Sequence, residues 1–317
     1  MSSSEAKERL RSELTSSKRR RPGVALCLVG VWFSSGCNLA DMIDSEGNLR
    51  QATAYRAAYE DTMLDVARRF NLGYVEMVAA NPDTDPWMPG EGTELVLPTA
   101  HLMPDAEPEG IIINLADMRL YYFPEQGGEP ASYPIGIGRD GLQTPVGETT
   151  VARKTKDPTW RPTPRMRAED PELPAEVPPG PDNPLGTRAM YLGWPMYIIH
   201  GTHKPWGVGR RVSSGCVRMY PEDVEELYEK VAIGTRVQVV DQPLKLGWIE
   251  GQLYLEAHAT QAQADQIELY GRFEPTLPSS AVDMVVDAAG AEAHRLDWSR
   301  VRRAVVERRG YPIRVTR

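Results

Sequence analysis

Nine prolines fall between residues 157 and 186: Pro158, Pro162, Pro164, Pro171, Pro174, Pro178, Pro179, Pro181 and Pro184. Proline lacks a backbone N–H and holds φ fixed, so neither a helix nor a central strand is expected in that stretch. A long ordered loop is expected instead, of the kind that shapes a cleft. On both sides the chain reads as short β-runs. Residues 111–115 and 119–123, joined by a turn at Ala116 and Asp117, predict a hairpin, and further strands are expected at 133–137 and 149–154. Beyond the prolines come 189–192, 197–200 and 235–240, so the centre of the chain is expected to be mainly β.

Two helices and a further strand frame the end of the chain. Pro221 stands near a first turn that holds Glu222 and Asp223, favourable against the helix dipole, and Val224, Leu227, Tyr228 and Val231 form one stripe. After Asp241 a strand is expected at 252–256, then a polar stretch. A last helix follows over 297–309, with Trp298, Val301 and Val305 inward and Gly310 closing it. Residues 242–317 are thus an α+β extension that carries no readable motif.

With 317 residues, 41% of them apolar and 25% charged, the chain is an ordinary globular sequence long enough for about two or three domains. Its net charge of −8 leaves no basic footprint, which excludes a nucleic-acid binder. The long apolar run, 23–33, is too short to span a bilayer, a task needing about 20 residues. It follows Lys18, Arg19, Arg20 and Arg21 and precedes Ser34, Ser35 and Gly36, the layout of a secretory signal peptide over residues 1–36. Its removal takes away seven basic and three acidic residues, leaving 29 against 41, or −12. The mature protein is therefore expected in the cell envelope, in the periplasm. Cys37 directly after Gly36 is a lipidation candidate; Ser34 stands where a lipobox usually has Leu, and simple cleavage fits as well. Membrane contact is expected only through that lipid. Residues 37–50 read as a linker.

Residues 51–100 form a compact unit. Met63, Val66, Ala67 and Phe70 recur at helical spacing, Asp61 or Thr62 can cap them, and a second helix over 74–80 ends before Asn81-Pro82. Short strands at 53–57 and 94–97 complete a β-α-α-β module. It resembles LysM, a peptidoglycan-binding repeat, in Glu60-Asp61-Thr62-Met63-Leu64, Val66-Ala67-Arg68-Arg69-Phe70, Asn81-Pro82 and Gly92-Thr93-Glu94-Leu95-Val96-Leu97-Pro98. Since most of these residues are core or capping positions, the resemblance bears on fold more than on sugar binding.

The chemistry is concentrated in Tyr197-Ile198-Ile199-His200-Gly201-Thr202, a loop with Gly207 and Gly209, and Val212-Ser213-Ser214-Gly215-Cys216-Val217-Arg218-Met219. A thiol and an imidazole brought together supply a nucleophile and a general base. Gly215 permits a tight turn, and the amides of Gly215 and Cys216 can face an oxyanion. Arg218 can hold a substrate carboxylate. A buried inert thiol is the ordinary alternative for a lone cysteine. His200, His203 and Cys216 offer only three ligands, too few for a structural zinc site, so no metal is expected. Trp206 and Trp194 can line a cleft or fill the core.

These segments resemble the catalytic domain of bacterial L,D-transpeptidases, whose signature is a His-Gly pair, a loop and Ser-x-Gly-Cys-Val/Ile-Arg. Thr144-Pro145-Val146-Gly147, Asn183-Pro184-Leu185-Gly186, His200-Gly201-Thr202, 213–219 and Gly234-Thr235-Arg236-Val237 occur in the family's order, covering residues 109–241. One position departs: Ser214 stands where the family usually has His. The resemblance implies a mainly β catalytic domain of the L,D-transpeptidase sandwich or barrel type. It implies that Cys216 attacks the diaminopimelate carbonyl of a peptidoglycan tetrapeptide stem and releases D-alanine. His200 would serve as base, Ser213 would bond within the site, and Arg218 would anchor the stem, with Gly201, Thr202 and Trp206 beside it. The acceptor would be a second diaminopimelate amine or the lysine of an envelope lipoprotein, and no cofactor is expected. Water as acceptor would make a carboxypeptidase; loss of activity at Ser214 would leave a silent wall-binding protein.

Overall fold

The computed structural model describes residues 53–125 and 130–317, together with the backbone of the strand β1 (Trp32–Phe33). That strand aside, the expected leader over 1–36 and linker over 37–50, with Cys37, lie outside the described residues. No described helix is long and apolar enough to cross a membrane.

The N-terminal unit runs β2 (Thr53–Arg56), α1 (Met63–Arg69), α2 (Tyr74–Ala80) and β3 (Glu94–Leu97), with β2 and β3 antiparallel. Of the two possible caps for α1, Thr62 serves, in a reciprocal capping box with Asp65. Asp61 is drawn away to the Tyr55 hydroxyl, 2.6 Å, and to Arg69, 3.0 Å. Every residue of α2 is buried, and its Ala80 end is closed by Asn81, whose side chain donates to the Met77 carbonyl and accepts from Val96 N–H. The short strand β4 (Ala100–His101) follows and pairs with β1.

The central domain is built on β5 (Gly110–Asn114), β6 (Arg119–Phe123), β7 (Ala131–Pro134), β8 (Ile137–Gly138), β9 (Gly147–Lys156), β10 (Arg188–Leu192), β11 (Ile198–His200), β12 (Arg211–Ser213), β13 (Val217–Arg218) and β14 (Arg236–Val240). Eight of these form one sheet in the order β13-β11-β10-β9-β14-β5-β6-β7, parallel at β13/β11 and β14/β5 and antiparallel elsewhere. The two ends of this sheet come together. Gly136, just past β7, exchanges a pair of 2.8 Å backbone bonds with Arg218 in β13, so the curled sheet closes on itself. The smaller pair β8 and β12 runs parallel beside that seam. This is the mainly β catalytic domain that the sequence implies.

The proline segment departs from expectation in one respect: it contains a short helix, α3 (Pro164–Glu169). Pro164 occupies the first helical position, where no N–H is needed, and Thr163 caps it, so proline starts this helix rather than forbidding it. The rest is an ordered loop, gathered around the fully buried Asn183. Its amide donates to the carbonyls of Pro158, Val177 and Pro178 at 2.8, 3.0 and 3.0 Å, and its Oδ1 accepts from Leu185 N–H.

Helix α4 (Pro221–Lys230) packs Val224 and Leu227 on the sheet. Beyond it lie β15 (Leu244–Ile249), β16 (Gln252–Ala257), α5 (Gln261–Tyr270), α6 (Ser279–Ala289), α7 (Trp298–Glu307) and β17 (Ile313–Arg314). Helices α5 and α6 occupy the stretch that reads as polar. In α7 the buried residues are Val301, Ala304 and Val305, whereas Trp298, expected inward, is 43% exposed at the first turn. The left-handed cap is Arg308, whose guanidinium reaches the His258 carbonyl, rather than Gly310. One apolar core joins α2 (Met77), the sheet (Ile113, Val237) and α5 (Ala264, Ile267). A second lies between β15, β16 and the helices α6 and α7.

Candidate active site

Parallel pairing of β11 with β13 places the key side chains. Ile199 faces Val217 and His200 faces Arg218 across the ladder, which puts Cys216 level with Ile198. Paired residues on parallel neighbours share a face, and faces alternate with period two. Ile199 and Val217 therefore enter the core, while His200, Cys216 and Arg218 gather on the other face.

His200 is buried, and its Nδ1 lies 2.5 Å from the Gly201 carbonyl oxygen. A carbonyl only accepts, so Nδ1 carries the hydrogen and Nε2 keeps a free lone pair. Burial, with the positive charge of Arg218 second, pushes the imidazole down to about 3, against the opposing pull of the Gly201 carbonyl. It stays neutral at physiological pH. The Cys216 thiol is free and half-buried, and its Sγ lies 3.5 Å from the Met196 carbonyl. Burial raises the thiol above its ordinary value, partly offset by an Ile198 backbone hydrogen bond and by Arg218. At rest the thiol and the imidazole are thus both neutral.

The turn before Cys216 is held from inside. Ser213 Oγ donates to the Cys216 carbonyl, 2.6 Å, and accepts from Gly215 N–H, 3.1 Å. Gly215, at φ +102°, lies under the Tyr197 ring, where any side chain would collide. Thr144 Oγ1 accepts from Gly138 N–H, 3.1 Å, and donates to the Gly215 carbonyl, 3.0 Å. Thr144 and Met196 are residues of the site that sequence reasoning did not single out, and Tyr197 and Ile198, within the stretch it named, were given no role there. Thr144 lay within a quoted motif; nothing in the sequence marks the positive φ of Met196.

The residues expected to meet substrate separate into two groups. Arg218 is partly exposed and makes no ion pair among the described residues, while Trp206 stands 56% exposed on a single 3₁₀ turn, Pro205–Gly207. Gly201 and Thr202 are buried; Gly201 orients His200, and Thr202 Oγ1 accepts from Lys204 N–H. Ser214 is half-buried beside the turn.

Away from this site, Asp117, Glu256 and His258 come within metal-ligating reach of one another. The Lys245 ammonium sits among them, 2.8 Å from Asp117 and 2.7 Å from Glu256, and supplies the positive charge a metal would bring.

A free thiol, a neutral imidazole with one nitrogen fixed, and an arginine without an ion pair among the described residues, all on one sheet face, are the groups that cysteine-dependent acyl transfer uses. Residues 108–239 match the YkuD family, described as the L,D-transpeptidase catalytic domain. The probable L,D-transpeptidase YbiS of Escherichia coli K12 is 41% identical over 259 residues, 78% of this chain and 81% of that protein. In the same organism the probable L,D-transpeptidase ErfK/SrfK is 34% identical over 310 residues, 92% of this chain and 96% of its own. YcfS, also named a probable L,D-transpeptidase, is 39% identical over 237 residues, 72% and 73% of the two chains. The chain belongs to the L,D-transpeptidase family.

Proposed function

We propose that Cys216 is the nucleophile of a peptidoglycan L,D-transpeptidase acting on tetrapeptide stems. Its sulfur attacks the diaminopimelate carbonyl bonded to the terminal D-alanine, and His200 Nε2 takes the thiol proton and returns it to the departing amine. D-Alanine leaves and a thioester remains. An incoming amine, from a second diaminopimelate or the lysine of an envelope lipoprotein, gives up a proton to His200 and takes the acyl group, restoring the thiol. The Cys216 amide faces the oxyanion; the Gly215 amide joins it on release from Ser213 Oγ. Arg218, which makes no ion pair among the described residues, takes a stem carboxylate beside Trp206. The observation that carries this reading is the β11/β13 pairing, which sets thiol, imidazole and guanidinium on one face.

The N-terminal unit is read as a LysM-like module that grips glycan strands, since it has the β-α-α-β order and lies outside the catalytic sheet. With the leader over 1–36, the enzyme works in the envelope, either free in the periplasm or anchored by lipid on Cys37.

The experiment is to mix leaderless protein with disaccharide-tetrapeptide and follow protein and products by mass spectrometry, beside Cys216→Ala. A thioester adduct with released D-alanine, absent in the variant, supports the nucleophile and donor, and cross-linked product supports an amine acceptor. Tripeptide without cross-links would indicate water as acceptor. No adduct from folded protein overturns the donor assignment.

A further inference from the structure

Between His200 and Cys216 the chain leaves the main sheet on a glycine-punctuated excursion, and its return through β12 sets where the thiol lies. That return is held by segments outside the catalytic domain. Arg210 Nε donates to both carboxylate oxygens of Glu268 in α5, at 2.7 and 2.9 Å, and Nη2 adds a third bond. Its guanidinium also lies 4.7 Å above the ring of Tyr74, the first residue of α2. Next along the chain, Arg211 is almost wholly buried. It donates to the Gln261 carbonyl, 2.8 Å, at the start of α5, and pairs with Asp265 one turn on. Just before them, the backbones of Gly209 and Gly73 are in direct contact. A Cβ on Gly73 would come 2.7 Å from Gly209 Cα, and the Val75 N–H donates to the Gly209 carbonyl at 3.1 Å.

From these anchors the path to the thiol is short. The Arg210 carbonyl accepts from Ile137 N–H, 3.0 Å, and the Ser213 carbonyl accepts from Arg139 N–H, 3.0 Å, fixing β12 on β8. Ser213 then holds the Cys216 carbonyl. An arginine buried against a carboxylate has one low-energy position, because leaving it strands a charge in a poorly solvated place. A thiol displaced by about 1 Å from its attack position loses on the order of 10²-fold in rate.

We propose that α5, in the segment after the catalytic domain, is a positioning element of the active site: Glu268 and Asp265 hold Arg210 and Arg211, and through them the turn that presents Cys216. The proposal rests on Cys216 being the nucleophile. It assigns part of the otherwise unread region 242–317 to the reaction without placing any of its residues on the substrate.

The test uses Glu268→Gln and Asp265→Asn, singly and together, in the full-length leaderless enzyme, with Glu268→Asp restored in the Asp265→Asn background. Three quantities are read: kcat and KM for D-alanine release, the rate and pH profile of Cys216 alkylation by iodoacetamide, and the thermal midpoint. The double variant is expected to lose about tenfold in kcat with KM within about twofold, and to shift the alkylation profile while remaining folded. Glu268→Asp is expected to recover a large part of kcat. Unchanged kcat and alkylation in the double variant would overturn the proposal, as would a kcat loss that only follows the folded fraction. Alkylation needs no wall peptide, so it decides the positioning role even if D-alanine release by the unaltered enzyme fails, which would instead overturn the donor assignment.

Discussion

The Nδ1–H of His200 is committed to the carbonyl of the very next residue, Gly201, at 2.5 Å. This local bond fixes which nitrogen is free, and burial with the Arg218 charge keeps the ring neutral down to about pH 3. The rate of D-alanine release, as kcat/KM, is therefore expected to show no acid limb near the ordinary histidine value of about 6.5. Iodoacetamide alkylation of Cys216 is expected to rise with a midpoint above the ordinary thiol value of about 8.5. An acid limb near 6.5 with alkylation already complete at pH 6 would instead mark a preformed thiolate and imidazolium. Replacing His200 with Ala should cost about 10²–10⁴-fold in kcat.

The same imidazole has a consequence for folding. Its folded value lies below its unfolded one, so the unfolded chain takes up the proton first. Stability from His200 is present above about pH 6.5 and is lost as pH falls toward about 3, with a limiting slope of about 1.4 kcal/mol per pH unit. Denaturant unfolding of the parent and of His200→Gln across pH 4–8 should show this component of the slope only in the parent. Equal slopes would count against a buried neutral imidazole.

Thr144 ties the loop after β8 to the turn at Gly215. Thr144→Val keeps the shape and removes both bonds, leaving a buried amide and carbonyl without their partner at a cost of about 1–3 kcal/mol. We expect kcat to fall about tenfold with little change in KM, because the displaced group is the nucleophile's turn rather than the substrate's cradle. Steady-state kinetics beside a melting curve would check this.

Lys245 neutralises Asp117 and Glu256 where all three side chains are inaccessible to solvent. Its ammonium is held well above the usual lysine value by those two carboxylates against a large burial penalty. Lys245→Met should destabilise the fold by about 3–5 kcal/mol, since it leaves two buried carboxylates facing one another. Chemical denaturation would measure it. A loss below about 1 kcal/mol would mean that water reaches the cluster.

Asn183 alone gathers three carbonyls of the proline loop. Asn183→Ala is expected to leave the sheet intact while opening residues 157–186 to proteolysis. Cleavage sites mapped by mass spectrometry should fall within that segment first, and an unchanged digestion pattern would show that the loop is held by other means.

Much of the catalytic sheet was legible because its strands alternate or run apolar over a few residues, as at Ile111, Ile112 and Ile113. Cys216 and His200 stood out because the residues around them are specific. What escaped was set by tertiary partners. Helix α5 reads as polar because Asp265 and Glu268 are spent on Arg211 and Arg210, the Gln261 amide donates to Asp241, and even Gln263 is buried, bonded to the Glu274 carbonyl. Periodicity detects an apolar stripe and is blind to a face built for arginines. Trp298 misled in the opposite way, as an aromatic at a helix start that the core did not need. The bond from Thr144 to the Gly215 carbonyl joins residues 71 positions apart, a distance that no local pattern encodes.

The contact between Gly73 and Gly209 joins the N-terminal unit directly to the chain that returns toward Cys216. A module on a flexible tether would let the enzyme sample any stem within reach of the strand it holds. Here the N-terminal unit abuts the chain that leads to the thiol, backbone against backbone. On the reading proposed above, in which that unit holds a glycan strand, the enzyme would act as a caliper, selecting stems by their spacing along the wall rather than by abundance alone.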